Sequence, residues 1–192
     1  VPCSYGGRNK AGNAESGGRR RWSGWRIAGW GLAAFLLMLP AVAMQYTAEV
    51  NWTAGDFIFA ALLMGTVGLA FELTVRMTRN WAYRAGIGVA LAAAFLTIWV
   101  NGAVGMIGDE DNPYNLFFLG VIVLALTGAV IARFRAPGMV AAMLAAAFVQ
   151  SALGVFGAFT DLRGGIFSTM FAGLWLLAAA LFWSAARERP QP

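Results

Sequence analysis

Apolar residues recur along the chain in six runs of about twenty, and short polar links separate these runs. The runs cover residues 27 to 44, 56 to 75, 85 to 107, 115 to 133, 138 to 159 and 166 to 185. An α-helix needs about 20 apolar residues to cross a hydrocarbon core roughly 30 Å thick. The pattern therefore predicts an all-α, polytopic membrane protein with six transmembrane helices and short loops, which occupy residues 27 to 187.

A polar tail precedes the first apolar run, and a shorter one follows the last. Residues 1 to 26 are rich in Gly, Ser, Asn and Arg, show no apolar period and hold six of the fourteen basic residues. Such a segment cannot bury enough apolar surface to fold by itself, so we expect a disordered basic tail. Residues 188 to 192 form the second tail.

The first apolar run has a second interpretation, as a cleaved secretory signal. Arg19 to Arg21 precede it, and Ala41 to Ala43, which follow Pro40, resemble a signal cleavage site. The apolar stretch nevertheless continues through Met44. This continuity favours an uncleaved anchor helix.

The basic residues orient the predicted helices, because Lys and Arg near helix ends are retained on the cytoplasmic side. With the N-terminus inside, thirteen basic residues fall in inner segments and Arg163 alone falls in an outer link. The acids show the opposite bias, and those in the outer links are Glu49, Asp56, Asp109, Glu110, Asp111 and Asp161. We predict an N-in, C-in topology in the inner (cytoplasmic) membrane.

The composition agrees with this class and excludes several others. The chain is 59% hydrophobic and only 12% charged, whereas soluble domains carry about 25% charged residues. It has no histidine, and its single cysteine, Cys3, lies in the polar tail, so haem, zinc and iron–sulfur sites lack their usual ligands. The net charge of +5 is not gathered on a soluble domain. The expected partners are therefore the lipid bilayer and a second copy or another membrane protein, and not nucleic acid.

Two acids lie near the ends of the second run, and each has a structural and a functional interpretation. Glu72 precedes Arg76 by four residues, which is the spacing of a helical ion pair. An acid at this depth could instead be a proton or cation site. Asp56 opens the same run, where a carboxylate stabilises the free amides of a helix N-terminus. The ion pair and the cap are the favoured interpretations.

The link after the third run is the most acidic part of the sequence. Asp109, Glu110 and Asp111 precede Asn112 and Pro113. Carboxylate and amide oxygens of this kind bind hard cations such as calcium. Asn112 is also a good N-cap, and Pro113 suits the first position of a helix. We favour the cap and turn, with cation or partner binding as the alternative.

Uncharged polar residues lie deep in the predicted spans. Asn101 and Gln150 are the costly ones, because an unpaired amide in hydrocarbon loses several kcal/mol. We expect them to form interhelical hydrogen bonds, and a polar path for a small solute is the alternative. Small residues also predict close helix packing, along the third helix at Gly102, Gly105 and Gly108 and along the fifth at Gly138, Ala142 and Ala146.

The six runs, together with the segments NWTAGDF at 51 to 57 and GMIGDEDNP at 105 to 113, resemble a group of small uncharacterised bacterial inner-membrane proteins. The resemblance covers most of residues 26 to 187 and leaves out the tail. It implies a six-helix inner-membrane protein and carries no activity, substrate or site.

Two functional classes follow from these features. The favoured one is a non-enzymatic accessory or structural membrane component. The alternative is a small-solute permease or channel that uses Asn101 and Gln150. Ion-coupled transporters usually place charged groups near the bilayer midplane, and the sequence places none there. It also shows no nucleophile with a base and no paired catalytic carboxylates, so an enzyme is the least supported class and no cofactor or metal is predicted.

Overall fold

A computed structural model of the chain describes residues 24–47 and 50–188. Regular structure in these residues is wholly helical, as the sequence predicts. The helices are α1 (Gly24–Ala43), α2 (Ala54–Met77), α3 (Trp81–Ala103), α4 (Leu116–Ile131), α5 (Ala136–Gly157) and α6 (Leu162–Arg187), and a 3-10 turn at Pro113–Asn115 leads into α4. The predicted tails fall mostly outside the described residues, and α1 already includes Gly24 to Arg26.

Five of the helices, α2 to α6, have the length and apolar composition that a membrane span requires. For α4 the span includes the preceding turn and runs over Pro113–Ile131. The apolar part of α1, Ile27–Ala43, is shorter than the other spans. The described residues therefore form a multi-pass helical membrane protein with five helices able to span a membrane and one further helix, α1.

Antiparallel neighbours place the helix ends in two groups. One group, the acidic end, holds the start of α2, the end of α3 and the starts of α4 and α6. The opposite group, the basic end, holds most of the described arginines: Arg76, Arg79, Arg84, Arg133, Arg135 and Arg187. Helices α2, α3 and α6 begin where a polar side chain accepts from a free backbone amide, as Asn80 does from the amide of Tyr83 at the start of α3.

Helices α3 to α6 form the packed core, and small residues bring their backbones close together. A methyl group placed on Gly128 of α4 would lie 2.7 Å from Cβ of Ala142, and one on Gly138 would lie 2.5 Å from Cβ of Ala132. Ala146 is completely buried in the same core. The predicted stripe on α5 therefore packs as expected, because close approach increases dispersion contacts between helices in lipid.

Helix α3 ends earlier than the sequence predicts. It stops at Ala103 instead of 107, and it begins at Trp81, four residues before the predicted start. Gly105 and Gly108 adopt positive φ angles of 76° and 72°, a conformation that favours glycine and that a helix does not contain. The prediction that Gly102, Gly105 and Gly108 share one helix is therefore wrong, since two of them are loop hinges.

Candidate functional site

The loop at residues 104–112 folds back into the acidic end of the bundle. Met106 and Ile107 are 2% and 1% exposed and pack against the buried ring of Phe118. Gly157 of α5 makes room for them, because a methyl group there would lie 2.5 Å from Cδ1 of Ile107. Two apolar residues of a loop thus complete the core between α4, α5 and α6.

Asn115 holds this loop in place. Its Oδ1 accepts hydrogen bonds from the backbone amides of Met106 and Ile107, at 3.1 and 2.9 Å. Its Nδ2 donates to the carbonyl oxygens of Ile107 and Asp109, at 3.3 and 2.7 Å. Asn115 is 5% exposed, so these bonds supply partners that water cannot.

The cap predicted at Asn112 is confirmed. The Oδ1 atom of Asn112 accepts from the backbone amide of Tyr114 at 3.0 Å, and Pro113 follows as the first residue of the 3-10 turn. Asn112 also donates from Nδ2 to the carbonyl oxygen of Ile107 at 3.0 Å. The same residue therefore caps the turn and fastens the 104–112 loop.

The acids before this cap are exposed. Asp109, Glu110 and Asp111 lie at the surface of the acidic end, and only the main chain of Asp109 takes part in the loop network. No three acidic or cysteine side chains among the described residues converge in a way that could hold a metal ion. The structure therefore brings these three carboxylates to one surface without forming a cation cage from them.

Asp161 joins the 104–112 loop to α6. Its Oδ1 accepts from the amide of Gly164, which caps the helix, and its Oδ2 accepts from the amide of Gly108, both at 3.0 Å. The N–H groups of Gly164 and then Gly108 hold the pKa of the Asp161 carboxyl below its usual value, and Arg163 lowers this pKa further. One carboxylate thus links two segments that are far apart in sequence.

The two acids of α2 act locally. Asp56 forms a capping box with Thr53, since its Oδ2 accepts from the Thr53 amide at 2.7 Å and its own amide donates to Oγ1 of Thr53. Thr53 is thus the N-cap, and Asp56 is the third residue of the helix. Near the basic end, Arg76 donates to Glu72, as the sequence predicts. This pair is partly exposed, with Arg76 half-exposed and Glu72 one-fifth exposed.

The deep amides meet different surroundings. Gln150 is fully buried on α5, and its Nε2 donates to the Ser168 carbonyl of α6 at 3.4 Å, which is the predicted interhelical bond. Its Oε1 has no partner among the described residues. Neither polar side-chain atom of Asn101 has one there either, although both atoms are buried. The expected interhelical bond of Asn101 is therefore not formed.

Two cavities lie away from these amides, the larger between α1, α2 and α3 and the smaller between α1 and α2. The larger, of about 510 Å³, is bounded by Leu36 and Pro40 of α1, Trp52, and Phe95 and Trp99 of α3. The smaller, of about 220 Å³, adjoins Trp30 and Glu72. Neither cavity is lined by Asn101 or Gln150, and the larger is walled almost entirely by apolar side chains.

The sequence analysis predicts no specific contact partners for four residues of the bundle: Asn115, Asp161, Thr97 and Trp175. Asn115 and Asp161 each stand at the start of a helix, a position that predicts a local cap and nothing about a distant loop. Thr97 and Trp175 resemble ordinary residues of an apolar span. Only their complete burial distinguishes them.

The chain matches no protein-family model, no curated protein and no solved structure.

Proposed function

We propose that this protein is a non-enzymatic accessory or structural component of the bacterial inner membrane. In this proposal α1 is a sixth, uncleaved span and both termini are cytoplasmic, so the basic end faces the cytoplasm. The apolar part of α1, Ile27–Ala43, reaches about 26 Å at about 1.5 Å per residue, which is near the shortest length that can cross the hydrocarbon core.

The observation that carries the proposal is the interior of the α3 to α6 core. No charged residue occurs in α4 or α5, in residues 85–108 or in residues 164–186. The side chains of Thr97, Gln150 and Ser168 are fully buried, and the described cavities lie elsewhere. A bundle packed in this way offers no route for an ion and presents its apolar outer faces to lipid or to another helix.

Purification from native membranes in mild detergent tests the accessory role. The protein should run as a complex well above its 20.4 kDa chain mass, and two differently tagged copies distinguish self-association from a second protein. The purified chain in liposomes should add no permeability to glycerol or urea beyond that of empty liposomes. A monomer that raises glycerol flux severalfold would replace the accessory role with the permease alternative.

Reporter fusions test the orientation independently. A reporter that is active only in the cytoplasm should work after Arg79 or Arg135, because arginines flank these sites, and should fail after Glu110. Activity after Glu110 would reverse the proposed topology. It would leave the helical fold untouched.

A further inference from the structure

Four polar side chains carry buried atoms that have no hydrogen-bond partner among the described residues. These atoms are Oγ1 of Thr97, both amide atoms of Asn101, Oε1 of Gln150 and Nε1 of Trp175. A buried polar atom without a partner costs free energy, and most such atoms in native proteins are bonded to protein or to ordered water. Four such side chains in one small core therefore need an explanation.

The register of α3 against α6 places these side chains within about 12 Å of one another along the bundle axis. Gly86 of α3 lies against the ring of Phe182, since a methyl group there would be 3.1 Å from Cε1. Thr97 lies eleven residues further along α3, about 16 Å at 1.5 Å per residue, and is therefore level with Phe171. Phe171 lies between Ser168 and Trp175 on α6.

The other two side chains lie at this level or about one helical turn from it. Gln150 of α5 reaches it because it donates to the Ser168 carbonyl. Asn101 follows Thr97 by one turn, on the side toward the 104–112 loop. We call Thr97, Asn101, Gln150 and Trp175 the polar layer. Small side chains border it, since Ala93, Ala146, Ala147 and Ala172 are all buried nearby.

The layer combines donors and acceptors without charge. Trp175 offers a donor, Gln150 an acceptor, Thr97 a hydroxyl that does both, and Asn101 a full amide. No charged residue occurs on the surrounding stretches of α3, α4, α5 or α6. An ion would therefore pay its full desolvation cost here, whereas a small neutral molecule with hydroxyl or amide groups would find several partners.

We infer that the polar layer binds a small neutral hydrogen-bonding molecule, either water or a polyol of about the size of glycerol. The site is closed toward the acidic end by the 104–112 loop, whose Met106 carbonyl accepts from Oγ of Ser168 at 3.5 Å. This inference goes beyond the accessory role and does not depend on it, because a buried neutral ligand needs no membrane partner.

The decisive variant is Thr97→Val, which keeps the shape of the side chain and removes the hydroxyl. If the hydroxyl binds a ligand, the melting temperature of the detergent-solubilised protein should fall by about 2–4 °C, the shift expected for one lost hydrogen bond in a chain of this length. If the hydroxyl is unpaired, its removal should raise the melting temperature. Thr66→Val is the matched control, because Oγ1 of Thr66 already donates to the Leu62 carbonyl within α2.

Nuclear magnetic resonance on the wild-type protein tests the inference even if the Thr97→Val variant does not fold. Magnetisation should transfer from water to the indole N–H of Trp175. The Trp175→Phe variant assigns this N–H signal, because the signal is missing from its spectrum. Glycerol and sucrose at equal osmolality separate the two ligands. If glycerol stabilises the wild type more than sucrose does, and Thr97→Val abolishes this difference, the ligand is a polyol. If glycerol and sucrose stabilise it equally and magnetisation transfers from water, the ligand is water. The inference would be overturned if Thr97→Val were more stable than the wild type. It would also be overturned if the wild type showed neither magnetisation transfer from water nor a greater stabilisation by glycerol than by sucrose.

Discussion

The carboxylate of Asp161 accepts a hydrogen bond from the backbone amide of Gly108, which lies 53 residues earlier in the chain. The same carboxylate caps α6 through Gly164. The position of the 104–112 loop and the start of α6 are therefore coupled through one side chain. The consequences of this coupling, and of the contacts around it, can be measured.

Asp161 should make stability depend on pH in the acid range. Its folded-state pKa is lowered, mainly by the amides of Gly164 and Gly108, so the carboxylate stabilises the protein above its unfolded pKa of about 3.9. This contribution is lost as the pH falls through the folded-state value. The melting temperature of Asp161→Asn should change less than that of the wild type when the pH is lowered below about 4. Identical acid profiles for the two proteins would contradict the assignment.

Asn115→Ala should be strongly destabilising. It leaves the amides of Met106 and Ile107 without their partner, and each unpaired buried amide costs about 1–3 kcal/mol. Asn51→Ala is the control at an exposed position, where about 0.5 kcal/mol or less is expected. Chemical denaturation in detergent compares the two variants. Equal stabilities would show that the loop does not depend on Asn115.

Gly157→Ala should also destabilise the loop, for a steric reason. The added methyl group would meet Cδ1 of Ile107, which is 1% exposed and tightly packed, and overpacking of this kind costs about 1–3 kcal/mol. Gly173→Ala in α6 adds the same group into open space and should stabilise its helix by about 0.5–1 kcal/mol. Opposite signs in a thermal melt are expected. A neutral Gly157→Ala would mean that Ile107 does not fill this position.

The acidic residues of the loop should not make the protein respond to calcium. Replacing Asp109, Glu110 and Asp111 by Asn, Gln and Asn leaves the Asn112 cap intact, so the melting temperature should change by no more than about 2 °C. Titrating calcium into wild type and triple variant should give flat curves for both. A shift of several degrees in the wild type alone would reveal the cation site that we disfavour.

The ion pair of Glu72 and Arg76 should contribute little to stability. Its members are partly exposed, and such pairs are typically worth about 0.2–1 kcal/mol. A double-mutant cycle with Glu72→Gln and Arg76→Gln measures the coupling directly. A coupling of zero would remove the structural explanation of Glu72 and favour its use as a proton or cation site.

The sequence by itself determined the helical elements and some of their local contacts. Runs of about twenty apolar residues specify helices, because a backbone in hydrocarbon must satisfy its own hydrogen bonds. The ion pair of α2 and the cap at Asn112 were also predictable from the sequence. Their partners lie within four residues, and helix geometry places such neighbours together.

Only the tertiary structure decided how the 104–112 loop folds and what surrounds the deep polar groups. The sequence predicts Met106 and Ile107 at the end of the third helix. Instead, Gly105 and Gly108, with their positive φ angles, turn these two residues into the core. The partner of Asn115 is a loop that precedes it, and that of Asp161 is 53 residues away. Such contacts depend on the register in which α3 to α6 pack, and this register follows from small residues on four helices acting together, which no local pattern encodes.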